Sequence, residues 1–311
     1  MGKRQLKNAD IQSVQSNVHA HEVLVLKSKT YKPTIRKEFI KRQALIDRLE
    51  SNIALPLTMI SAATGCGKSV TTSLWLEETR HKYGWISLDE EHNDPHVFLT
   101  YLETILKEQW PKKSFGLESL LQGVNLPSNL IATTFINDID QLEDFFVLVL
   151  DDYHIIREEK IHEIINIILR YPPEQFQLVV LTQRDPPLHL ARLRAQFQVN
   201  EIRMRDLAFT IDEAIKLRSL VASETTDEQV QTIVNQAEGW ITGITVGLMG
   251  LAEGISIEKV IQALHSGVSV ISELLDEIVI SGLPVEVQKF LELTTLMDRF
   301  SKELVSSWLL P

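Results

Sequence analysis

Residues Leu57 to Ser69, reading LTMISAATGCGKS, leave this chain few folds to choose from. An apolar, β-favouring run stops at a set of small residues. Val70-Thr71-Thr72-Ser73-Leu74-Trp75-Leu76 then shows helical spacing, which predicts strand, loop and helix in succession. The residue types suit a phosphate cradle. Backbone N–H groups along Ala63, Thr64, Gly65, Cys66 and Gly67 can curl round an anion only where side chains stay out of the way. The helix entered through Lys68, Ser69 and Val70 adds its partial positive charge. Lys68 offers a mobile ammonium to the outer phosphates, and the Ser69 hydroxyl is a ligand for Mg²⁺. Ala62 stands where this pattern usually has its first glycine, and is small enough to keep the turn. The expected ligand is a nucleotide with Mg²⁺.

The chain has 311 residues, 44% of them hydrophobic, enough for more than one folding unit. Its formal charge of −11 comes from 31 basic and 42 acidic residues, and Lys and Arg form no dense block beyond Lys3-Arg4. That argues against DNA binding by this chain alone. Cys66 is the single cysteine, so no disulfide can form within the chain. Its thiol is either a nucleophile or a small loop filler, and the latter is the simpler reading. With no secretory signal and no apolar run of spanning length, a cytoplasmic protein without membrane contact is expected.

Phe145-Phe146-Val147-Leu148-Val149-Leu150-Asp151-Asp152 is the second informative stretch. A continuous apolar run predicts a strand covered on both faces, as in a parallel sheet between helices. Two carboxylates at its exit are costly unless they serve a cation or stay solvated. Asp151 is assigned to the metal, through water, and Asp152 to orienting or deprotonating an attacking water. His154 is either a switch residue or bonded to nearby backbone. A further buried strand, Phe176 to Thr182, delivers Arg184, whose planar fork suits a γ-phosphate; the alternative is a salt bridge with Asp185. Val199 to Met204 alternates and reads as an edge strand.

Upstream, Phe39 to Leu49 has helical spacing. In many phosphate-loop ATPases such a lead-in covers the adenine base, which makes Ile40 and Arg42 candidates beside a plain packing role. Tyr83 to Leu88 reads as a strand ending at Asp89-Glu90-Glu91, acids that either face a ligand or form a solvated loop. Asp94-Pro95 is a helix start that places Phe98, Tyr101, Leu102 and Ile105 on one face. Residues 111–129 read as a surface connection with a short helix.

From Phe209 onward no strand is expected. Capping boxes at Thr210-Ile211-Asp212-Glu213 and Thr225-Thr226-Asp227-Glu228 open a series of helices: 210–221, 227–237, 241–252, 257–265, 268–280, 285–296 and 302–309. Trp240, between Gly239 and Ile241 at a helix start, is core or lines the nucleotide from the helical side. The apolar finish Trp308-Leu309-Leu310-Pro311 suggests a piece of something longer.

The ordered set of lead-in, phosphate loop, Trp85-Ile86-Ser87-Leu88-Asp89, Leu150-Asp151-Asp152-Tyr153-His154, Arg184-Asp185-Pro186-Pro187-Leu188, Asp206-Leu207-Ala208-Phe209-Thr210 and Glu238-Gly239-Trp240 resembles the MalT-like regulators. These are the large ATP-binding members of the LuxR family, within the signal-transduction ATPases with numerous domains (STAND). The resemblance implies an α/β fold, a P-loop NTPase parallel sheet flanked by helices, followed by small all-α helical and winged-helix domains. The expected division is a loosely attached leader over 1–26, a nucleotide-binding domain over 27–208, a helical domain over 209–265 and a truncated winged-helix domain over 266–311. It also implies a slow regulatory ATPase acting as a switch in transcription: closed with ADP, self-associating with ATP. Inducer and DNA would be met through domains outside this chain. By match, Lys68 and Ser69 bind phosphate and Mg²⁺, Asp151 and Asp152 are the Walker B acids, and Arg184 is the sensor. The helical part lacks the proline of the wider class's Gly-x-Pro motif, which leaves the adenine contacts of Trp240 open. The alternative is a turnover-driven P-loop ATPase of another AAA or STAND type, not acting in transcription.

Overall fold

The computed structural model describes residues 23–35, 39–123, 126–222, 224–266 and 287. Most of the expected leader, the winged-helix domain and the helices over 268–280, 285–296 and 302–309 lie outside the described residues. Five strands form one sheet: β1 Leu57–Ser61, β2 Lys82–Ser87, β3 Phe146–Asp151, β4 Phe176–Thr182 and β5 Val199–Arg203. Their order is β2-β3-β4-β1-β5, and every neighbouring pair is parallel. Strands β1, β3 and β4 are buried along their whole length, which is why their sequences run largely apolar without regular alternation. The outer strands β2 and β5 are only partly covered, and β5 alternates in burial as its sequence alternates.

Parallel strands need crossovers, and helices on both faces supply them. The segments in chain order are α1 Gln43–Ser51, α2 Lys68–Glu78, α3 Pro95–Gln109, α4 Gly116–Leu120, α5 Ser128–Asp140, α6 Glu159–Arg170, α7 Leu190–Ala195 and α8 Met204–Leu207. One apolar cluster joins α3, α5 and α6 to one face of the sheet. The other joins α1 and α2 to the opposite face, with Trp75 and Trp85 fully buried. Side chains of this size each contribute roughly 1.5–3 kcal/mol on burial. The Asp94 carboxylate accepts from the His96 N–H at 2.7 Å and Pro95 opens α3, the start read from the Asp-Pro pair. Helix α5 was not anticipated: the sequence reading places a connection up to residue 129 and no element before β3, yet Ile131, Ala132, Phe135 and Ile139 bury one helical face.

The register fixes where the site lies. Ser61 pairs with Thr182 and Ser87 with Asp151, so the loops after β1, β3 and β4 all leave from the same edge of the sheet. Val25 packs on the first cluster and the Leu26 N–H donates to the Tyr101 hydroxyl at 3.0 Å, so the attached chain starts before residue 27.

Four further helices follow: α9 Ile211–Val221, α10 Asp227–Gln236, α11 Ile241–Ala252 and α12 Ile257–Ser266. They share a separate small core around Ile233, Ile244 and Leu248. Thr210 and Glu213 form the expected capping box. The second box is shifted by one residue, to Thr226 and Gln229. Thr225 lies one residue before the N-cap, and its hydroxyl donates back to the Ala222 carbonyl at 2.9 Å. Among the described residues no helix is long and apolar enough to cross a membrane.

Candidate functional site

Gly65 and Gly67 both sit in the left-handed region, at φ 77° and 78°, while Thr64 and Cys66 do not, an alternation that suits a concave run of backbone. Helix α2 begins at Lys68 with Gly67 as its N-cap, so the unpaired N–H groups of its first turn open toward that concavity. Lys68 is buried and donates from Nζ to the carbonyls of Ala62 and Ala63, at 2.9 and 3.1 Å. Burial lowers its pKa, while the nearby Asp152 and Asp151 carboxylates pull the other way. Cys66 is 2% exposed and burial raises its thiol pKa, which makes it a filler of the loop and not a nucleophile.

The Ser69 hydroxyl donates to Asp151 Oδ1 at 3.0 Å, and the same oxygen accepts from the Asp152 N–H, also at 3.0 Å. Burial first, and the Asp152 charge second, push the Asp151 pKa up to about 6. A hydroxyl and a carboxylate held together, with ionisation opposed by a second acid, are a favourable setting for a divalent cation. Among the described residues no group of three or more His, Cys, Asp or Glu is placed to hold a metal alone. Ser69 and Asp151 alone could supply only part of a shell, an arrangement compatible with Mg²⁺, a cation that takes its remaining ligands from phosphate and water.

Asp152 adopts φ 57°, ψ 37°, a conformation that costs an L-residue roughly 1–2 kcal/mol. Its carboxylate lies 3.9 Å from His154 Nδ1, an atom with no hydrogen-bond partner among the described residues. Burial lowers the His154 pKa, with the Asp152 charge opposing. Arg184 leaves the end of β4, is exposed, and donates from Nη2 to the His154 carbonyl at 3.5 Å. It does not pair with Asp185, which instead binds Arg194 and Arg203. Loop, acids and arginine are thus brought to one edge by β1, β3 and β4.

Arg42, a candidate for the adenine base, is engaged within the chain. It is 7% exposed, donates from Nη1 to Leu207 O at 2.6 Å and from Nη2 to Ala208 O at 3.0 Å, and bonds Glu213 from Nε at 2.8 Å. Its guanidinium also lies 5.1 Å from the Phe209 ring centroid. These bonds commit the side chain to the hinge between the sheet domain and α9. Ile40, two residues earlier, packs against the helical core.

The helical domain touches the loop itself. Trp240 Nε1 donates to Thr64 O at 2.9 Å, and Thr242 donates to Gly65 O from its N–H at 3.2 Å and its hydroxyl at 3.1 Å. A Cβ on Gly65 would come within 2.4 Å of Thr242 Oγ1 and 2.8 Å of Trp240 Nε1, and one on Gly67 within 2.8 Å of Ile241 Cδ1. The left-handed glycines therefore serve two contacts, the concave inner face and the approach of α11 from outside. Thr242, Ile241 and Gln183, whose side chain donates to Thr64 Oγ1 at 3.0 Å, were not anticipated. The glycines flanking Trp240 were the available signal, but nothing local gives a contact spanning more than 170 positions.

No protein-family model matches the chain. It is 30% identical over 268 residues, 82% of its length, to the HTH-type transcriptional regulator MalT of Yersinia enterocolitica, and spans 29% of that protein. Among solved structures it resembles a STAND protein with a tetratricopeptide repeat sensor from Pyrococcus horikoshii: TM-score 0.51, 17% identity, 89% of this chain and 37% of that one. It also resembles a Walker-type ATPase of Pyrococcus abyssi, at TM-score 0.54 and 12% identity, over 89% of this chain and 90% of the other. The fold is that of the P-loop ATPases, and over four fifths of its length the chain is homologous to a stretch of the MalT regulators, which supports a MalT-like nucleotide-binding region.

Proposed function

We propose that the chain is the ATP- and ADP-dependent switch of a cytoplasmic, MalT-like transcriptional regulator, with hydrolysis slow and used to reset the switch. The observation that carries this reading is the seating of Trp240 and Thr242 on the carbonyls of the phosphate loop. A domain bonded to the loop backbone responds to whatever the loop holds, and that is the requirement for a switch whose output is conformation. In this reading Lys68 and the loop amides hold the phosphates, and Ser69 and Asp151 hold Mg²⁺, the latter through water. Asp152 orients or deprotonates the attacking water, and Arg184 meets the γ-phosphate. Bound Mg²⁺ would stabilise charge on the outer phosphates. Ile40 and Trp240 flank the base, from the lead-in and the helical side. The ATP form self-associates, and inducer and DNA are bound by parts of the protein outside this chain.

The test is to denature the purified chain and identify the nucleotide released. A switch retains ADP through purification and turns over slowly, and Lys68→Ala abolishes binding of both nucleotides. A chain that carries no nucleotide and binds none with Mg²⁺ would be an interaction module with a vestigial site. Rapid steady-state turnover without any inducer would favour a motor.

A further inference from the structure

The segment Asp89-Glu90-Glu91-His92-Asn93 after β2 has a use that its acids do not reveal. Asp89 and Glu91 are tied to Lys29 of the lead-in, and Asp89 also accepts from the Glu91 N–H at 3.1 Å. His92 is fully buried, with its Nδ1 2.7 Å from Asp89 and its ring 4.4 Å from that of Tyr101. The five residues are thereby a fixed ledge, and Asn93 reaches from it across the sheet edge. Its Oδ1 accepts from the N–H groups of Arg157 and Glu158, at 2.6 and 3.1 Å. Its Nδ2 donates to the Ile155 carbonyl at 3.3 Å, and to the Glu90 carbonyl within the ledge at 3.2 Å.

Residues 152–156 are the turn that leaves β3. It carries Asp152 in its left-handed conformation, closes with Ile155 N–H donating to Asp152 O at 3.0 Å, and presents the His154 carbonyl to Arg184. A strained backbone of this kind persists only where its surroundings hold it. One amide side chain, using both its oxygen and its nitrogen, grips the far end of the turn. We infer that Asn93 is a positioning residue of the phosphate site: it fixes the turn that aims Asp152 and supplies Arg184 with its acceptor. This rests on the proposed hydrolysis at that site.

The test uses the full chain and compares wild type with Asn93→Ala, Asn93→Asp and Gln177→Ala. The measurements are equilibrium binding of a fluorescent ATP analogue, single-turnover hydrolysis of Mg²⁺-ATP, and thermal unfolding. Asp keeps an oxygen for the Arg157 and Glu158 amides but cannot donate to Ile155, so it should retain part of the rate. Gln177 is buried at the opposite end of β4 and donates to Asn52 and Leu55 carbonyls, at 2.8 and 3.0 Å, so its loss destabilises without touching the turn. Expected is a fall in the hydrolysis rate of about 10- to 100-fold for Asn93→Ala, as for reacting groups misplaced by an ångström or so. Nucleotide affinity should be unchanged, Asn93→Asp intermediate in rate, and Gln177→Ala at the wild-type rate despite a lower melting temperature. Should Asn93→Ala fold poorly, Asn93→Asp against Gln177→Ala carries the test. A wild-type rate in the Asn93 variants, or an equal loss in Gln177→Ala, overturns the inference alone. A wild-type chain that binds no ATP overturns the functional reading and this inference with it.

Discussion

Replacing Arg42 by Ala separates a hinge from a base contact. The guanidinium makes two firm bonds to the carbonyls of Leu207 and Ala208, a longer one of 3.4 Å to Asp206 O, and the ion pair with Glu213, whose side chain is 19% exposed. Truncation leaves Glu213 largely buried without its counter-charge and the hinge carbonyls without donors. Breaking one partner of a buried pair costs about 3–5 kcal/mol, and Glu213's residual exposure puts the expectation at the lower end of that range. Set against a total stability of about 5–15 kcal/mol, the loss is visible in any unfolding curve. Urea titration of nucleotide-free protein should show it, together with faster amide exchange along α9. Arg42→Lys should recover part of the Glu213 pairing but not the forked bonds to the carbonyls. An Arg42→Ala chain that keeps wild-type stability without nucleotide, and differs only in nucleotide affinity, would refute the hinge and restore the adenine role.

Three other outcomes are expected. Trp240→Phe keeps the ring but loses the bond to Thr64 O, and Thr242→Val loses the hydroxyl bond to Gly65 O. Each should cost about 1 kcal/mol, read as easier proteolytic cutting between the domains with the sheet domain intact. Asp152→Asn should retain ATP binding and favour the self-associated form, and sedimentation that finds an unchanged monomer in ATP would sink that expectation. Asp185 is held below the usual carboxylate range by its bond to Arg203, with Arg194 adding to it. A depressed acid stabilises the fold above its unfolded pKa and stops doing so as pH falls through the folded one. Asp185→Asn should thus lower the melting temperature modestly at pH 7, since the pair is exposed. The gap should close as pH drops below about 3.9, and a gap independent of pH would count against the pairing.

The sheet was legible because its strands obey simple rules. Fully buried parallel strands are mostly apolar, and Val147 to Leu150 and Leu178 to Leu181 are wholly so. The loop was legible because phosphate chemistry restricts residue types at fixed spacing. Helix α5 was missed because Ser128, Asn129, Thr133, Thr134 and Asn137 dilute its apolar stripe, and burial against α6 decides what propensity does not. Arg42 was ambiguous for a different reason. An arginine before a phosphate-loop strand satisfies the same pattern whether it meets a base or a hinge, and only the placement of residues 206–213 distinguishes the two. Asn93 gave no signal, since its partners on the turn are main-chain groups more than 60 positions away.

The acceptors that receive Trp240 and Thr242 are main-chain carbonyls, those of Thr64 and Gly65. No side-chain replacement inside the loop can delete a carbonyl. The docking of the helical domain is therefore open to removal by point substitution from one side only, at Trp240 and Thr242, while the loop side can only be crowded. Apart from Gly65 and Gly67, where a side chain would crowd α11, residues of the loop can vary as far as phosphate chemistry permits, as Ala62 already does, without uncoupling the two domains. A variant that binds nucleotide normally but has lost its response should accordingly be sought in the first turn of α11.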